Sequence, residues 1–339
     1  MAQKNNSMLS ITDEFAQKIK AEQRSTIIMR WAPVFVLVAL VIFFSITCST
    51  SFPTGNNLIA ILSQLAIPLV IAVGLTFVII IGSIDLSIDG VVGMTGSVFS
   101  VIVLNNQNSM NLGIVGVLLM LLLGLLTGTI IGVVHVKAKI PSFIVSFGMS
   151  SIASGVAILS YSGIPATIED PVLVQLSRTN FIGIPFITWV ALAVLAIAWI
   201  IQTYTSFGRY VYAIGTNEMV TRMSGVSIDR VKILVFAFCG ICLGIAGVLG
   251  GIRLGRGEVM IGKGTMFPAV TAVVVGGTPL SGGKGGMMNT LVGSLIITVL
   301  NNGLILLGIN PYVQTGVQGI IILLAVALTV KHKANHISK

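Results

Sequence analysis

Charged residues cut this chain into apolar runs of the length a bilayer core demands, about 20 residues each. Residues 1–30 are polar and mixed in charge, from Lys4 through Asp13, Glu14, Lys18, Lys20, Glu22 and Arg24 to Arg30. The first apolar run, Trp31 to about Ile46, exceeds a signal-peptide core and lacks a small-residue cleavage site after it. It is therefore expected to stay as a spanning helix, with the N-terminus cytoplasmic. No charge follows Arg30 until Asp85, and Ser51 to Asn57 divides that stretch into two spans. Asn105 to Ser109 divides the stretch from Asp89 to Lys137 in the same way. Single spans are expected over 140–168, 179–208, 233–252 and 264–283, and residues 285–330 split into two at Gly308-Ile309-Asn310-Pro311. The pattern thus predicts ten spans in an all-α, polytopic helical bundle with both termini cytoplasmic. The span after Gly264 is the weakest, because its firmly apolar part runs only from Phe267 to Val275; a short, tilted or re-entrant segment fits it.

Composition agrees: of 339 residues, 55% are hydrophobic and only 9% charged, too few for any soluble domain of ordinary size. The net charge of +9 does not point to nucleic acid, since the basic residues sit between apolar runs and act as topology signals facing cytoplasm and anionic lipid. Fifteen basic residues fall on the expected cytoplasmic side; only Arg178, Arg253, Arg256 and Lys263 fall outside. The last three are the one cluster that resists the assignment. Ile84 to Gly90 and Gly277 to Gly283 echo one another as small polar turns that open the next helix, as a duplicated unit would place them. Glycines recur as small-x-x-x-small at Gly124, Gly128 and Gly132 and at Gly240 and Gly244, a spacing that brings helix backbones close.

Candidate chemistry is sparse. The three histidines, His135, His332 and His336, assemble no metal or triad site, and Cys239 with Cys242 forms a C-x-x-C inside an apolar run, read as helix packing. No metal ligand set and no bound cofactor is expected. Asp85 and Asp89, four apart, are read as cytoplasmic-turn and helix-start residues; the alternative is a cation-coupling pair on one helical face. Gly282, Gly283 and Lys284 only superficially resemble a phosphate loop, since Thr278 stands where glycine is required and Gly285 where a magnesium-binding hydroxyl is required. They read as a tight cytoplasmic turn, and this chain is not expected to hydrolyse ATP. Asn301 and Asn302 are polar positions within a span, candidates for lining a pathway or for hydrogen bonding between helices.

The loop 204–230 is the most informative segment. Thr216 or Asn217 can cap a short helix that carries Glu218 in its first turn and Arg222 four residues on, and Gly225 can end it in a left-handed turn. Met219, Val220 and Met223 then form an apolar side with nothing in the soluble part of the chain to bury against. Such a helix suits a groove on a partner protein, or it rests on lipid headgroups.

Four ordered stretches resemble the permease subunits of ATP-binding-cassette importers for monosaccharides, the ribose-type family. They are Gly82 to Ser87; Gly208-Arg209-Tyr210 through Gly215, Asn217 and Glu218 to Ser224-Gly225-Val226; Val274 to Gly285; and Asn301-Asn302-Gly303-Leu304. The resemblance implies a transport subunit rather than an enzyme, in a bacterial inner membrane. It would work with a second permease subunit, homomeric or heteromeric, a cytoplasmic ATPase that uses ATP and magnesium, and an extracytoplasmic solute-binding protein. It also implies that Glu218 to Gly225 is the coupling helix that docks into the ATPase, with residues 31–330 as the permease domain and 1–30 and 331–339 as cytoplasmic ends. Met266-Phe267-Pro268 departs from the pattern, since these permeases often carry acidic residues there. The competing reading is a self-contained cation-coupled transporter or channel built on Asp85 and Asp89; an integral membrane enzyme lacks a nucleophile and a base.

Overall fold

A computed structural model describes residues 31–310, 312–321 and 323. The expected cytoplasmic ends, 1–30 and 331–339, lie outside those residues, with His332, His336 and the basic groups they carry. Among the described residues six helices are long and apolar enough to cross a membrane: α2 (Gly55–Ile80), α4 (Gly113–Lys137), α5 (Ser142–Ser160), α7 (Phe186–Tyr204), α10 (Ile228–Leu254) and α12 (Met287–Leu306). Shorter helices complete the bundle: α1 (Trp31–Thr47), α3 (Ile88–Ile102), α6 (Pro171–Arg178), α8 (Ser206–Thr216), α9 (Glu218–Met223) and α11 (Met266–Val275). Residues 312–321 are helical again after the break at Gly308. The protein is an all-α polytopic bundle; the expected breaks after Ser51 and at Gly308 coincide with turns over residues 48–54 and 307–308, and the break near Asn105 widens to residues 103–112.

Helices α2, α3 and α10 form the centre, with Leu69 to Val73, Val91, Val92, Cys239 and Cys242 all buried in one core. Cys239 and Cys242 pack against Gly74 of α2 as free thiols. The glycine rows on α4 and α10 meet face to face. A β-carbon at Gly124 would run into the Gly240 carbonyl, and one at Gly128 would strike the Phe236 carbonyl and lie 3.1 Å from the Gly240 α-carbon. Only backbone approaches backbone here, so van der Waals contact is made over the whole crossing.

One expected turn and one expected span leave the helix inside the bundle. Between α2 and α3 the chain turns at Ile81 and Gly82 and then runs without regular structure to Ser87 along α5, held by serines spaced four apart. Ser142 Oγ accepts from the Ile84 N–H at 3.1 Å and donates to its carbonyl at 2.9 Å. Ser146 Oγ accepts from the Leu86 N–H at 2.9 Å, and Ser150 Oγ from the Gly90 N–H at 3.2 Å. Three backbone donors are thus met by hydroxyls of α5, and the Ser87 N–H by the Asp85 carboxylate, in place of helical carbonyls.

The weak span after Gly264 is the second break. From Arg256 the chain descends irregularly along α3: Gly257 lies against Ser100, Gly262 against Asp89 and Gly93, and only then does α11 begin. Asp89 anchors that start. Its Oδ1 accepts from the Met266 N–H at 2.9 Å and the Thr265 hydroxyl at 3.2 Å, and its Oδ2 from the Gly264 N–H at 3.0 Å. A carboxylate borrowed from another helix thus caps the positive end of α11.

Lys263 is accordingly not at the outer end, as its expected place beside Arg253 and Arg256 required. Arg253 and Arg256 do end α10 away from α8 and α9; Arg256 pairs with Glu258 at 3.0 Å, and its strand joins residues 166–167.

Substituting Gly128 by Leu should force α4 off α10 and lower the melting temperature of the purified permease, by the roughly 1–3 kcal/mol or more that overpacking costs. Gly316→Ala, at a position open to space, should leave it unchanged; equal melting curves for both variants would contradict the packing.

Candidate functional site

One end of the bundle carries most of the residues that the sequence singled out. Helix α7 stops at Thr205, whose hydroxyl accepts from the Gly208 N–H at 3.3 Å and starts α8. Gly208 packs on the Gln202 backbone, leaving no room for a side chain, and Arg209 reaches Ser206 at 2.9 Å. At the far end of α8, Gly215 lies against the Ile80 carbonyl of α2, and a β-carbon there would come within 2.7 Å of the Gly283 nitrogen. Gly283 itself donates to the Ile80 carbonyl at 2.9 Å.

The glycine turn is gripped from the same side. The Tyr212 hydroxyl donates to the Gly285 carbonyl at 2.6 Å, while Gln202 Nε2 donates to Tyr212 at 2.5 Å and Gln202 Oε1 accepts from the Met287 N–H at 2.8 Å. Partial burial pushes the Tyr212 hydroxyl above its ordinary pKa, so it stays a donor. Gly282, Gly283 and Gly285 hold φ values of +76°, +77° and +108°, which a residue with a side chain adopts only under strain. Lys284 projects from this turn into solvent. These residues form a structural joint of α2, α8 and α12 with no phosphate cradle.

Asn217 separates α8 from α9. Its Oδ1 accepts from the Val220 N–H at 3.1 Å as the α9 cap, and Gly225 ends the turn at φ +80°. Glu218 pairs with Lys232 of α10 at 2.8 Å and with Arg222 at 3.4 Å. Arg222 reaches Asp229 at 4.0 Å, and Asp229 reaches Lys137 of α4 at 3.6 Å. Partial burial raises the Glu218 pKa, but the hydrogen bond and charge of Lys232, with those of Arg222, outweigh it and hold the carboxyl below the usual carboxylate range. The helix is therefore lashed to the ends of α4 and α10 by charge, and its apolar side faces outward: Met219, Val220 and Met223 are 74%, 58% and 84% exposed.

Other candidates lie elsewhere. Asp85 is buried in the irregular segment before α3 and accepts from the Ser87 N–H at 2.8 Å, whereas Asp89 sits in the first turn of α3. The two share no helical face, because Asp85 precedes the helix. Nor is Asp89 in a turn at the bundle's end: it stands about 10 Å deeper, given about 1.5 Å per residue of the adjoining α5. Asn301 Oδ1 accepts from Gln318 at 2.8 Å and tethers the last helical stretch, and Asn302 is buried. Among the described residues no cluster of histidine, cysteine and carboxylate side chains is arranged for a metal ion.

Sequence reasoning missed Lys232, Asp229 and Lys137 as the anchors of α9, and Gln202 and Tyr212 as the clamp on the glycine turn. Contacts over 14 and 73 residues leave no local signal. The serine ladder, in contrast, is readable as Ser142, Ser146 and Ser150 at i, i+4 and i+8.

Comparison with known proteins bears on this arrangement. Residues 57–326 match the family described as branched-chain amino acid transport system / permease component. The ribose import permease protein RbsC of Escherichia coli K12 is 37% identical over 296 residues, 86% of this chain and 91% of the relative. RbsC of Bacillus subtilis is 33% identical over 324 residues, 94% and 99% of the two chains. The D-allose transport system permease protein AlsC of Escherichia coli is 30% identical over 299 residues, 88% and 91%. No solved structure matches. With its family covering most of its length and its bundle of apolar helices, the chain belongs to the branched-chain amino acid transport system / permease component family, as a multi-pass inner-membrane transport component and not an enzyme.

Proposed function

We propose that this chain is the membrane-spanning permease of an ATP-driven, binding-protein-dependent importer for a monosaccharide, worked from the cytoplasm through α9. The observation that carries this reading is the exposed Met219-Val220-Met223 side of α9, tied to α10 by ion pairs and to α8 by its Asn217 cap in a protein that resembles sugar permeases. A tethered helix with bare methionines matches a groove on a second protein, and methionine adapts well to such a groove. The relatives named for ribose, allose and arabinose support a pentose or hexose as cargo.

The working assembly in this reading has two permease subunits, a cytoplasmic ATPase that binds ATP and magnesium, and an extracytoplasmic solute-binding protein. Residues 31–330 form the permease domain and 204–230 the coupling loop. Ten passes follow if α1, residues 81–102, residues 256–275 and the helical stretch from 312 each cross once beside the six long helices. That count returns both termini to the side of α8 and α9, where Lys137, Arg209, Arg222, Arg230, Lys232 and Lys284 also gather, as the positive-inside rule favours.

Force applied to α9 reaches the bundle by two routes. One is the charge network to α4 and α10; the other is α8, whose Gly215 and Tyr212 bear on the ends of α2 and α12. ATPase closure would move these ends together and switch access to the solute. The cation-coupled alternative is weakened, since both Asp89 oxygens are committed to the start of α11.

Replacing Met219 and Met223 together by Ser should cut co-purification of the ATPase at least about tenfold without changing the permease's melting curve. Undiminished association would contradict the docking role. Glu218→Gln and Lys232→Gln should each uncouple ATP hydrolysis from transport, whereas Arg222→Gln, at a longer and more exposed pair, should do less. Because the Glu218 pKa is lowered, its ion pair stabilises the loop above the ordinary carboxylate range and is lost as pH falls through the lowered value. Protection of the α9 amides against hydrogen exchange, taken relative to the intrinsic rate at each pH, should therefore fall only in acid, and in Glu218→Gln should show no such acid step.

A further inference from the structure

The broken span from Arg256 to Val275 carries a lysine halfway along its length. Lys263 follows Gly262, which is pressed against Asp89 and Gly93 of α3. In that same turn of α3, Gly90 is bonded to Ser150, close to the midpoint of the Ser142–Ser160 helix. Eight residues of α5 separate Ser142 from Ser150, about 12 Å, and a similar length follows to its other end. Lys263 thus stands near half depth in the bundle.

Its side chain is exposed on the protomer, between Met260 and Phe267, which are 54% and 59% exposed. Neither nearby carboxylate is available to neutralise it. Asp89 is occupied by Gly264, Thr265 and Met266, and Glu258 is paired with Arg256. A lysine side chain reaches roughly 6 Å, too short to carry its ammonium group to either interface from that depth. Hydrocarbon around it is excluded on energetic grounds, and ionisable groups inside membranes face water-filled cavities or protein. Water can lie against the outside of one protomer at half depth only if a second subunit closes the space.

We infer that the face formed by residues 258–267 lines the solute pathway between two permease subunits, and that Lys263 donates hydrogen bonds to hydroxyl groups of the passing solute. Phe267, exposed four residues on, offers an aromatic surface to the C–H groups of a polyol such as a sugar. This inference rests on the permease reading for the nature of the solute, but the wet environment of Lys263 follows from depth and charge alone.

The test uses the full chain in sealed membrane vesicles, with Cys48→Ser to remove the partly accessible native thiol; Cys239 and Cys242 are buried. Lys263→Cys should react with a charged, membrane-impermeant methanethiosulfonate, and added sugar should slow the reaction. Leu126→Cys, near the middle of α4 and exposed toward lipid, should stay unmodified. In transport, Lys263→Arg should retain most of the flux, and Lys263→Leu should lose about tenfold while ATPase association is unchanged. A Lys263→Cys protein as inert as Leu126→Cys would overturn the inference. Labelling requires no ATPase, so that failure is separate from failure of α9 docking; labelling of the Lys263→Cys protein together with ATP-independent flux would instead leave the pathway standing and remove the ATP-driven reading.

Discussion

Within a bilayer no water is available to satisfy a backbone N–H or C=O, and this constraint governs the two places where the chain abandons the helix. Residues 81–87 cross part of the bundle without helical structure because Ser142, Ser146 and Ser150 present a hydroxyl every turn of α5. Residues 256–265 descend irregularly against α3 because glycines at 257 and 262 let the backbones touch, and because Asp89 satisfies the N–H groups at the start of α11. Each break is thus covered by a specific neighbour. The arrangement ties α2, α3, α5 and α11 into one unit whose parts cannot shift without exposing polar backbone.

That unit meets the α8–α9 loop at a joint of glycines. Gly215, Gly282 and Gly283 place the end of α8, the end of α2 and the turn before α12 within backbone contact, and Tyr212 bonds across it to Gly285. A contact made of main chain is stiff, so displacement at α9 is passed on with little loss to side-chain rearrangement. In the proposed importer this is how closure of an ATPase beneath the membrane would reach the broken span, whose irregular half carries Lys263.

Most of the architecture is legible in the sequence because bilayer thickness imposes a length on every apolar run. The glycine rows at Gly124, Gly128 and Gly240 are legible too, since helical spacing brings them onto one face and the structure packs them together. The α9 cap at Asn217, its first-turn Glu218 and the left-handed Gly225 are local signals and appear where local rules put them. The interruptions are harder to read. Ile84 to Gly90 looks like a turn by composition, and only the long-range partners on α5 reveal that it lies inside the bundle. Asp89 looks like the opening of its own helix, while its carboxylate serves a helix more than 170 residues later. Charge arithmetic puts Lys263 at a membrane face, but the preceding residues descend along α3 and carry it inward.

The central claim is that this permease moves solute only when a separate ATPase works it through α9. Its most direct measurement is sugar uptake into proteoliposomes containing the permease with or without its ATPase and binding protein. The account predicts accumulation of a pentose or hexose only with all components and ATP. Uptake by vesicles holding this chain alone, driven by an ion gradient, would contradict it.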